Sequence, residues 1–293
     1  MRIIILSRSE ELYSTRSLYN AARRRNHFVR IVDHVMCDVL IDNNGCELYY
    51  NGQVIEGYDA IIPRIGHTVT HQGASVIRQF ESMGVFSVLS ATALLNARDK
   101  LSCLQILAAH GVPVPSTLYA NNQYFVQDLA YKIEGFPKII KLLSGTHGLG
   151  VIKADDQKTM ESMLEAFIGV RQKALLQEFI AESGGADIRA FVVDGEIVAS
   201  MLRQAGEGEF RSNLHRGASA TTVDLTEEEH ETALKAVEVM GLKVAGVDML
   251  RSNRGPLVLE VNASPGLEGI ETVTGVDVAK KIIQYTERSV RGI

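Results

Sequence analysis

The sequence predicts a mixed fold, α/β then α+β: a small open-sheet N-terminal domain followed by two α+β lobes that face one another across a cleft. Three observations predict it. Short apolar runs alternate with helical stretches over the first third of the chain, the pattern of a mostly parallel sheet. After the extended VPVP segment the pattern changes, and a glycine-rich loop separates two strand candidates. Near the C-terminus a hairpin carries carboxylates on one face and apolar residues on the other. The boundaries this suggests are 1–94, 95–175 and 176–293. A chain of 293 residues, 46% hydrophobic and 22% charged, is long enough for such lobes to have cores.

The elements follow in order. RIIIL reads as a buried strand, 10–25 as a helix and FVRIVD as a second strand. CELYYNGQVIEG reads as a polar hairpin turning at Asn51-Gly52. DAIIPRIG and VFSVLS are further strands, with a helix over 70–83 between them. No GxGxxG follows the first strand, so a dinucleotide site is not expected. Residues 90–110 form one or two helices ended by Gly111. FPKIIKLL and GVIKA flank the glycine-rich loop, a helix spans 157–168, and ALLQEFI is a strand. Two hairpins and two helices complete the chain; the first helix begins with Thr226 and Glu229 at capping-box spacing and stops at Gly241.

Composition excludes several functions. The N-terminal apolar run is shorter than the roughly 7–15 residues of a signal peptide or the about 20 of a membrane span, so a cytoplasmic protein with no membrane partner is expected. Cys37, Cys46 and Cys103 form no CxxC pair, which leaves packing roles. A net charge of −5 argues against direct nucleic-acid binding. The basic run Arg23–Arg25 ends a predicted helix, where positive charge suits the dipole.

The segment GVDMLRSNRGPLVLEVNASPG is the most informative. With Asn253-Arg254-Gly255 as a three-residue loop, Asp248 lies across from Glu260, and Asn262 lies two residues along the same face. Val247, Met249, Leu257, Leu259 and Val261 fall on the reverse face. Close carboxylates repel unless a cation sits between them, and oxygen ligands without His or Cys suit Mg or Mn rather than zinc. In KIIKLLSGTHGLGVIK, glycines between two strands read either as a hairpin turn or as a lid over phosphates; the position ahead of the carboxylate hairpin favours the lid. Lys141 enters that loop. Gln177-Glu178 interrupts an apolar strand where backbone groups could read an adenine edge, with Phe179 and Ile180 as walls. DIRAFVVDGEIVASMLRQ turns at Asp194-Gly195 and carries Asp187, Arg189 and Arg203. FRSNLHRG adds Arg211, Asn213, His215 and Arg216, a concentration of arginine suited to a transferring phosphoryl group.

Lys100, Lys141, SGTHGLGV, LLQEFI, the DIR strand, FRSNLHRG, GVDML and LEVNASPG, in that order, resemble the ATP-grasp fold. FRSNLHRG, NRGPLVLEVNASPGLEGIE and IPRIG resemble, more narrowly, the RimK family, ligases that add glutamate to the C-terminus of small-subunit ribosomal protein six. The resemblance covers nearly the whole chain. It implies two lobes clamping ATP, with Lys100, Lys141 and the loop residues Ser144, Gly145, Gly148 and Gly150 on the phosphates. Glu178 and Phe179 would bracket the adenine, Asp187 would sit near the nucleotide, and Arg211 and Asn213 would reach the phosphates. Asp248, Glu260 and Asn262 would hold two Mg ions, or Mn. Arg203 and Arg211 would stabilise the acyl phosphate or tetrahedral intermediate, while Arg64, Arg189, His215 and Arg216 are candidates for substrate contact. The partners implied are L-glutamate, a ribosomal-protein C-terminus and further copies of the chain. Ala218 departs from the family pattern where a second glycine is expected after Gly217.

Two other readings use the same residues. One is a related ligase with another acceptor or amino acid: a poly-glutamate synthetase, a cofactor glutamylase, or a lysine or arginine pathway enzyme. The other is a non-catalytic ATP-binding regulator, which a missing ligand would favour; Lys141, Asp248, Glu260 and Asn262 are all present.

Overall fold

The computed structural model describes residues 1–43, 45–119, 129–143, 150–212 and 217–292. Strand β1 (Arg2–Leu6) buries Ile3, Ile4, Ile5 and Leu6 alike. A run apolar on both faces belongs inside a parallel sheet. β1 lies between β2 (Phe28–Val32) and β6 (Ala60–Pro63), parallel to both, with β7 (Phe86–Ser87) beyond β6. The strand order reverses between β1 and β6, which opens a crevice at their carboxyl ends.

Helix α1 (Tyr13–Arg24) starts later than the sequence pattern suggests. The Ser9 hydroxyl accepts the Glu11 N–H at 3.2 Å, and Ser7 bonds Thr15 at 2.7 Å, which holds the preceding backbone in turns. The basic run at its end is structural: Arg24 pairs with Asp277 and Arg25 with Glu287. A separate antiparallel sheet follows, β3 (Cys37–Asp42), β4 (Gly45–Tyr50) and β5 (Gln53–Val54), with the expected turn at Asn51 and Gly52, both at positive φ. β3 has no alternating burial, so periodicity gave no sign of it.

Helix α2 (Thr70–Ser82) returns the chain to the parallel sheet. Gly73 makes its approach possible, because a Cβ there would meet Ile65 Cγ2 at 2.4 Å. Residues 90–110 form two helices, α3 (Ala91–Arg98) and α4 (Lys100–Ala109), broken where the extended Asp99 caps α4 by accepting the Leu101 and Ser102 N–H groups.

The middle of the chain is an antiparallel sheet of β8 (Thr117–Tyr119), β9 (Lys138–Leu142), β10 (Val151–Ala154) and β11 (Ala174–Glu178), in the order β10-β9-β11-β8, covered by α5 (Gln157–Gly169). Its core of Ile140, Ala154, Met160, Leu164 and Leu176 is separate from the rest. The C-terminal part is a five-stranded antiparallel sheet of β12 (Ala186–Val193), β13 (Glu196–Gln204), β14 (Ser219–Thr222), β15 (Val244–Ser252) and β16 (Gly255–Asn262), ordered β14-β13-β12-β15-β16. Helix α6 (Glu227–Val239) has the Thr226–Glu229 capping box in both directions and ends before Gly241 at φ 65°. The tail folds as two helices rather than one, α7 (Glu268–Thr274) and α8 (Val278–Arg291), because Gly275 takes the left-handed conformation between them.

β1 ties the parallel sheet to the five-stranded one. Ile4 and Leu6 share a core cluster with Ile188, Ala190 and Met249, while Ile3 and Ile5 share another with Phe191, Ile282 and Ile283. No helix among the described residues is long and apolar enough to cross a membrane.

Candidate active site

The site is written in the register of the five-stranded sheet. Arg203 on β13 lies opposite Asp187 on β12, Arg189 on β12 lies opposite Asp248 on β15, and Asp248 lies opposite Glu260 on β16. Side chains alternate along a strand, so Asp187 and Arg189 share a face, and Ile188 between them points into the core. Gly246 lies opposite Asn262, and a Cβ there would meet Pro265 at 3.1 Å and approach the Arg189 side chain. One face therefore collects Arg203, Asp187, Arg189, Asp248, Glu260 and Asn262.

The Asp248–Glu260 pairing is the one the sequence suggests, reached by a different path. The turn has two residues rather than three, since Ser252 pairs with Gly255, and a bulge beside Met249 restores the register at the carboxylates. Leu259, the extra residue, is the one the bulge absorbs.

Asp248 is buried, and both its oxygens are held. Arg189 donates Nε to Oδ1 at 2.7 Å and Nη2 to Oδ2 at 2.6 Å, while Arg203 Nη2 lies 2.9 Å from Oδ2. Burial alone would raise its pKa, but the two guanidiniums outweigh that and hold it at about 2. Arg203 also grips Asp187 through two bonds of 2.6 Å. Asp187 shifts the other way: burial, helped by the neighbouring Asp248 charge, raises its pKa against the opposing pull of Arg203 and Ser212. Asn262 Nδ2 donates to Glu260 Oε1 at 3.1 Å and lies 3.5 Å from Asp248 Oδ2.

Lys141 on β9 and Lys100 at the start of α4 belong to the same electrostatic environment. Burial lowers Lys141 to about 8, with Glu260 and Asp248 opposing and Lys100 assisting. Lys100 is also lowered by burial, and its Nζ donates to the Leu143 carbonyl at 3.3 Å. Gly150, at φ 74°, closes the other end of the loop; a Cβ there would lie 2.8 Å from the Leu142 side chain. Ser144, Gly145, Gly148, Asn213, His215 and Arg216 lie outside the described residues.

At the adenine candidate, the Phe179 ring packs edge-on against Phe210 at 6.3 Å, and Lys153 Nζ lies 5.7 Å from the Phe179 centroid. Arg211 bonds Glu209 through two donors and reaches the Val151 carbonyl at 3.3 Å, joining its loop to β10. The Glu178 carboxylate accepts the Ser116 N–H at 2.6 Å and pairs with Arg254 at the tip of the β15–β16 hairpin. The same tip donates the Asn253 N–H to Glu182.

Arg64 donates Nη2 to the Pro265 carbonyl at 2.6 Å, just beyond the carboxylate hairpin. Sequence reasoning missed its neighbour Arg98, which donates to the Ile65 carbonyl at 2.5 Å, and missed the ring of Phe210. Arg98 ends a helix, where a basic residue needs no further explanation; the signal lies only in the Arg-Asp-Lys run that joins two helices.

With respect to a metal, the donor set on the hairpin is two carboxylates and an amide whose nitrogen lies 3.1 Å from Glu260 and 3.5 Å from Asp248; turned over, the amide would offer a third hard oxygen. That chemistry fits Mg or Mn, although among the described residues no group of three His, Cys, Asp or Glu side chains is arranged to hold an ion.

Comparison with known proteins agrees with this architecture. Residues 97–286 match the RimK-like ATP-grasp domain and residues 1–94 the RimK PreATP-grasp domain. A protein of Syntrophotalea carbinolica named "Probable alpha-L-glutamate ligase" is 53% identical over 288 residues, covering 98% of this chain and 96% of that one. One of the same name from Thioalkalivibrio sulfidiphilus is 51% identical over 291 residues, with 99% and 97% covered. The crystal structure of a RimK domain ATP-grasp protein from Sphaerobacter thermophilus superposes with a TM-score of 0.72 at 21% identity, covering 98% of this chain and 100% of its own. An N-terminal parallel sheet, antiparallel sheets of four and five strands after it and near full-length identity above one half lead to one assignment: the chain belongs to the RimK family of ATP-grasp ligases.

Proposed function

We propose that this ligase joins the amino group of L-glutamate to a carboxylate at the C-terminus of small-subunit ribosomal protein six, in repeated cycles where the product's new terminus is accepted again. The observation that carries the reading is the single sheet face on which Arg203, Asp187, Arg189, Asp248, Glu260 and Asn262 meet, with Glu260 and Asp248 acting electrostatically on Lys141. The family names of the relatives support glutamate as the amine.

Asp248, Glu260 and Asn262 would hold Mg, or Mn, which when bound neutralises phosphate charge. Metal binding at Asp248 would compete with its contacts to Arg189 and Arg203; Arg189 would then be available for an anion, while Arg203 stays held by Asp187. Lys100 and Lys141 bind phosphate oxygens as cations. Phe179 and Phe210 form the apolar wall for the base, and Arg211 ties that wall to β10.

The chemistry has two steps. A carboxylate oxygen of the acceptor attacks the γ-phosphorus, the bond to the bridging oxygen breaks, and ADP leaves. The glutamate nitrogen then bonds to the carbonyl carbon of the acyl phosphate, phosphate departs with the C–O electron pair, and the nitrogen loses a proton. Arg203, buried and held charged by Asp248 and Asp187, would stabilise the oxyanion. The glycine-rich sequence of residues 144–149 would serve to exclude water, which would otherwise hydrolyse the acyl phosphate.

The test is ATP-dependent phosphate release with each amino acid, with and without the ribosomal protein, followed by mass spectrometry. A ladder of glutamate additions on that protein is expected. Glutamate oligomers formed without it would replace the acceptor assignment, and turnover with lysine but not glutamate would overturn the amine.

A further inference from the structure

Arg189 and Arg203 are engaged with carboxylates, but two further arginines beside the same hairpin are not. Arg64 leaves the carboxyl end of β6, where the order of the parallel sheet reverses and ligand crevices form. Its Nη2 is anchored on the Pro265 carbonyl, and Arg98 Nη2 is anchored on the Ile65 carbonyl, one residue from Arg64. Arg98 Nε is buried and has no hydrogen-bond partner. Among the described residues neither guanidinium forms an ion pair. Burial lowers the pKa of both, that of Arg64 to about 10, and the charge of Arg98 adds to the lowering at Arg64.

Two adjacent half-buried cations that form no ion pair among the described residues are unfavourable for the empty protein. Each is fixed by one donor on a backbone carbonyl, which leaves the rest of the guanidinium fork oriented and unused. That is the arrangement that receives a carboxylate, whose two oxygens match a planar fork. Glu260 acts electrostatically on Arg98, so the pair sits beside the proposed reaction centre rather than at a remote surface. The Arg8 guanidinium lies close by, 3.2 Å from where a Cβ on Gly66 would sit.

We propose that Arg64 and Arg98 bind a substrate carboxylate that is not the one phosphorylated, and that this pair makes the ligase selective for an acidic substrate. The inference rests on the glutamate-ligase reading. The carboxylate belongs either to the incoming glutamate or to an acidic residue of the acceptor's tail, and the site chemistry is the same for both.

The experiment compares the full-length wild type with Arg98→Met, Arg64→Met, Arg98→Lys and Arg64→Lys. Steady-state kinetics vary glutamate and acceptor separately, and calorimetry measures glutarate and MgADP binding directly. Losing a charge-assisted pair predicts a KM increase of about 10- to 100-fold in the Met variants, a smaller one in the Lys variants, and unchanged MgADP affinity. A rise confined to glutamate assigns the site to the incoming amino acid; a rise confined to the acceptor assigns it to the tail. A fall in kcat with both KM values unchanged, or glutarate binding equal in wild type and all folded variants, overturns the proposal. Failure of the wild type to incorporate glutamate while glutarate binding still depends on Arg98 would overturn the ligase reading and leave the carboxylate site standing. If the Met variants do not fold, the Lys variants decide by the same criteria.

Discussion

At Lys141, burial removes water from an ammonium that Glu260 and Asp248 only partly compensate, and the folded pKa falls to about 8 from an unfolded value of about 10.4. The sign of two effects follows. Between those values the unfolded chain binds more protons, so this group makes the free protein more stable as pH rises through 8. In the proposed role, Lys141 binds phosphate as an ammonium, so kcat/KM for ATP should fall over the same range. Lys141→Arg keeps its charge and should move the alkaline limb of the pH profile upward; an unmoved limb would remove Lys141 from the phosphate site. A D…E-x-N pattern alone most often marks an exposed charged hairpin face; the shared face of Asp248, Glu260 and Asn262 was legible because the hairpin register and the flanking residues set them opposite one another. Arg98 was not, because one basic residue at a helix end already satisfies the dipole, and only the tertiary contact with Ile65 gives it a second meaning.

At the level of elements, the site is placed by close approaches that the sequence marks only as glycine. Gly73 lets α2 rest on Ile65, the residue whose carbonyl fixes Arg98. Gly73→Ala would force Ile65 aside, at a cost of about 1–3 kcal/mol in a urea melt, and should raise the same KM that the Arg98 variants raise. A stability loss without that kinetic change would separate the helix contact from the site. The hairpin teaches a related lesson. Its register at Asp248 and Glu260 was readable, yet its turn was not, because a two-residue turn plus one bulge and a three-residue loop place those carboxylates opposite one another equally well. Strand β3 escaped notice for a plainer reason: burial is what writes periodicity into a sequence, and β3 is almost wholly exposed.

Over the whole molecule, the apolar interior divides unevenly. The parallel sheet and the five-stranded sheet share continuous clusters, whereas the sheet of β8 to β11 keeps a small one of its own. Hydrogen exchange should therefore show the amides of β9, β11 and α5 opening at lower free energy than those of β1 and β12, and an ATP analogue should slow the first set more. Uniform protection across both sets would contradict this division. Charge is uneven too. The chain carries −5 overall, yet around the hairpin Arg64, Arg98, Lys100, Lys141, Arg189 and Arg203 outnumber Asp187, Asp248 and Glu260. An anion in bulk solution thus meets mild repulsion at a distance and attraction once inside the cleft. Added salt screens the long-range repulsion far more than the part-buried contacts, so ionic strength should change how fast nucleotide arrives more than how long it stays.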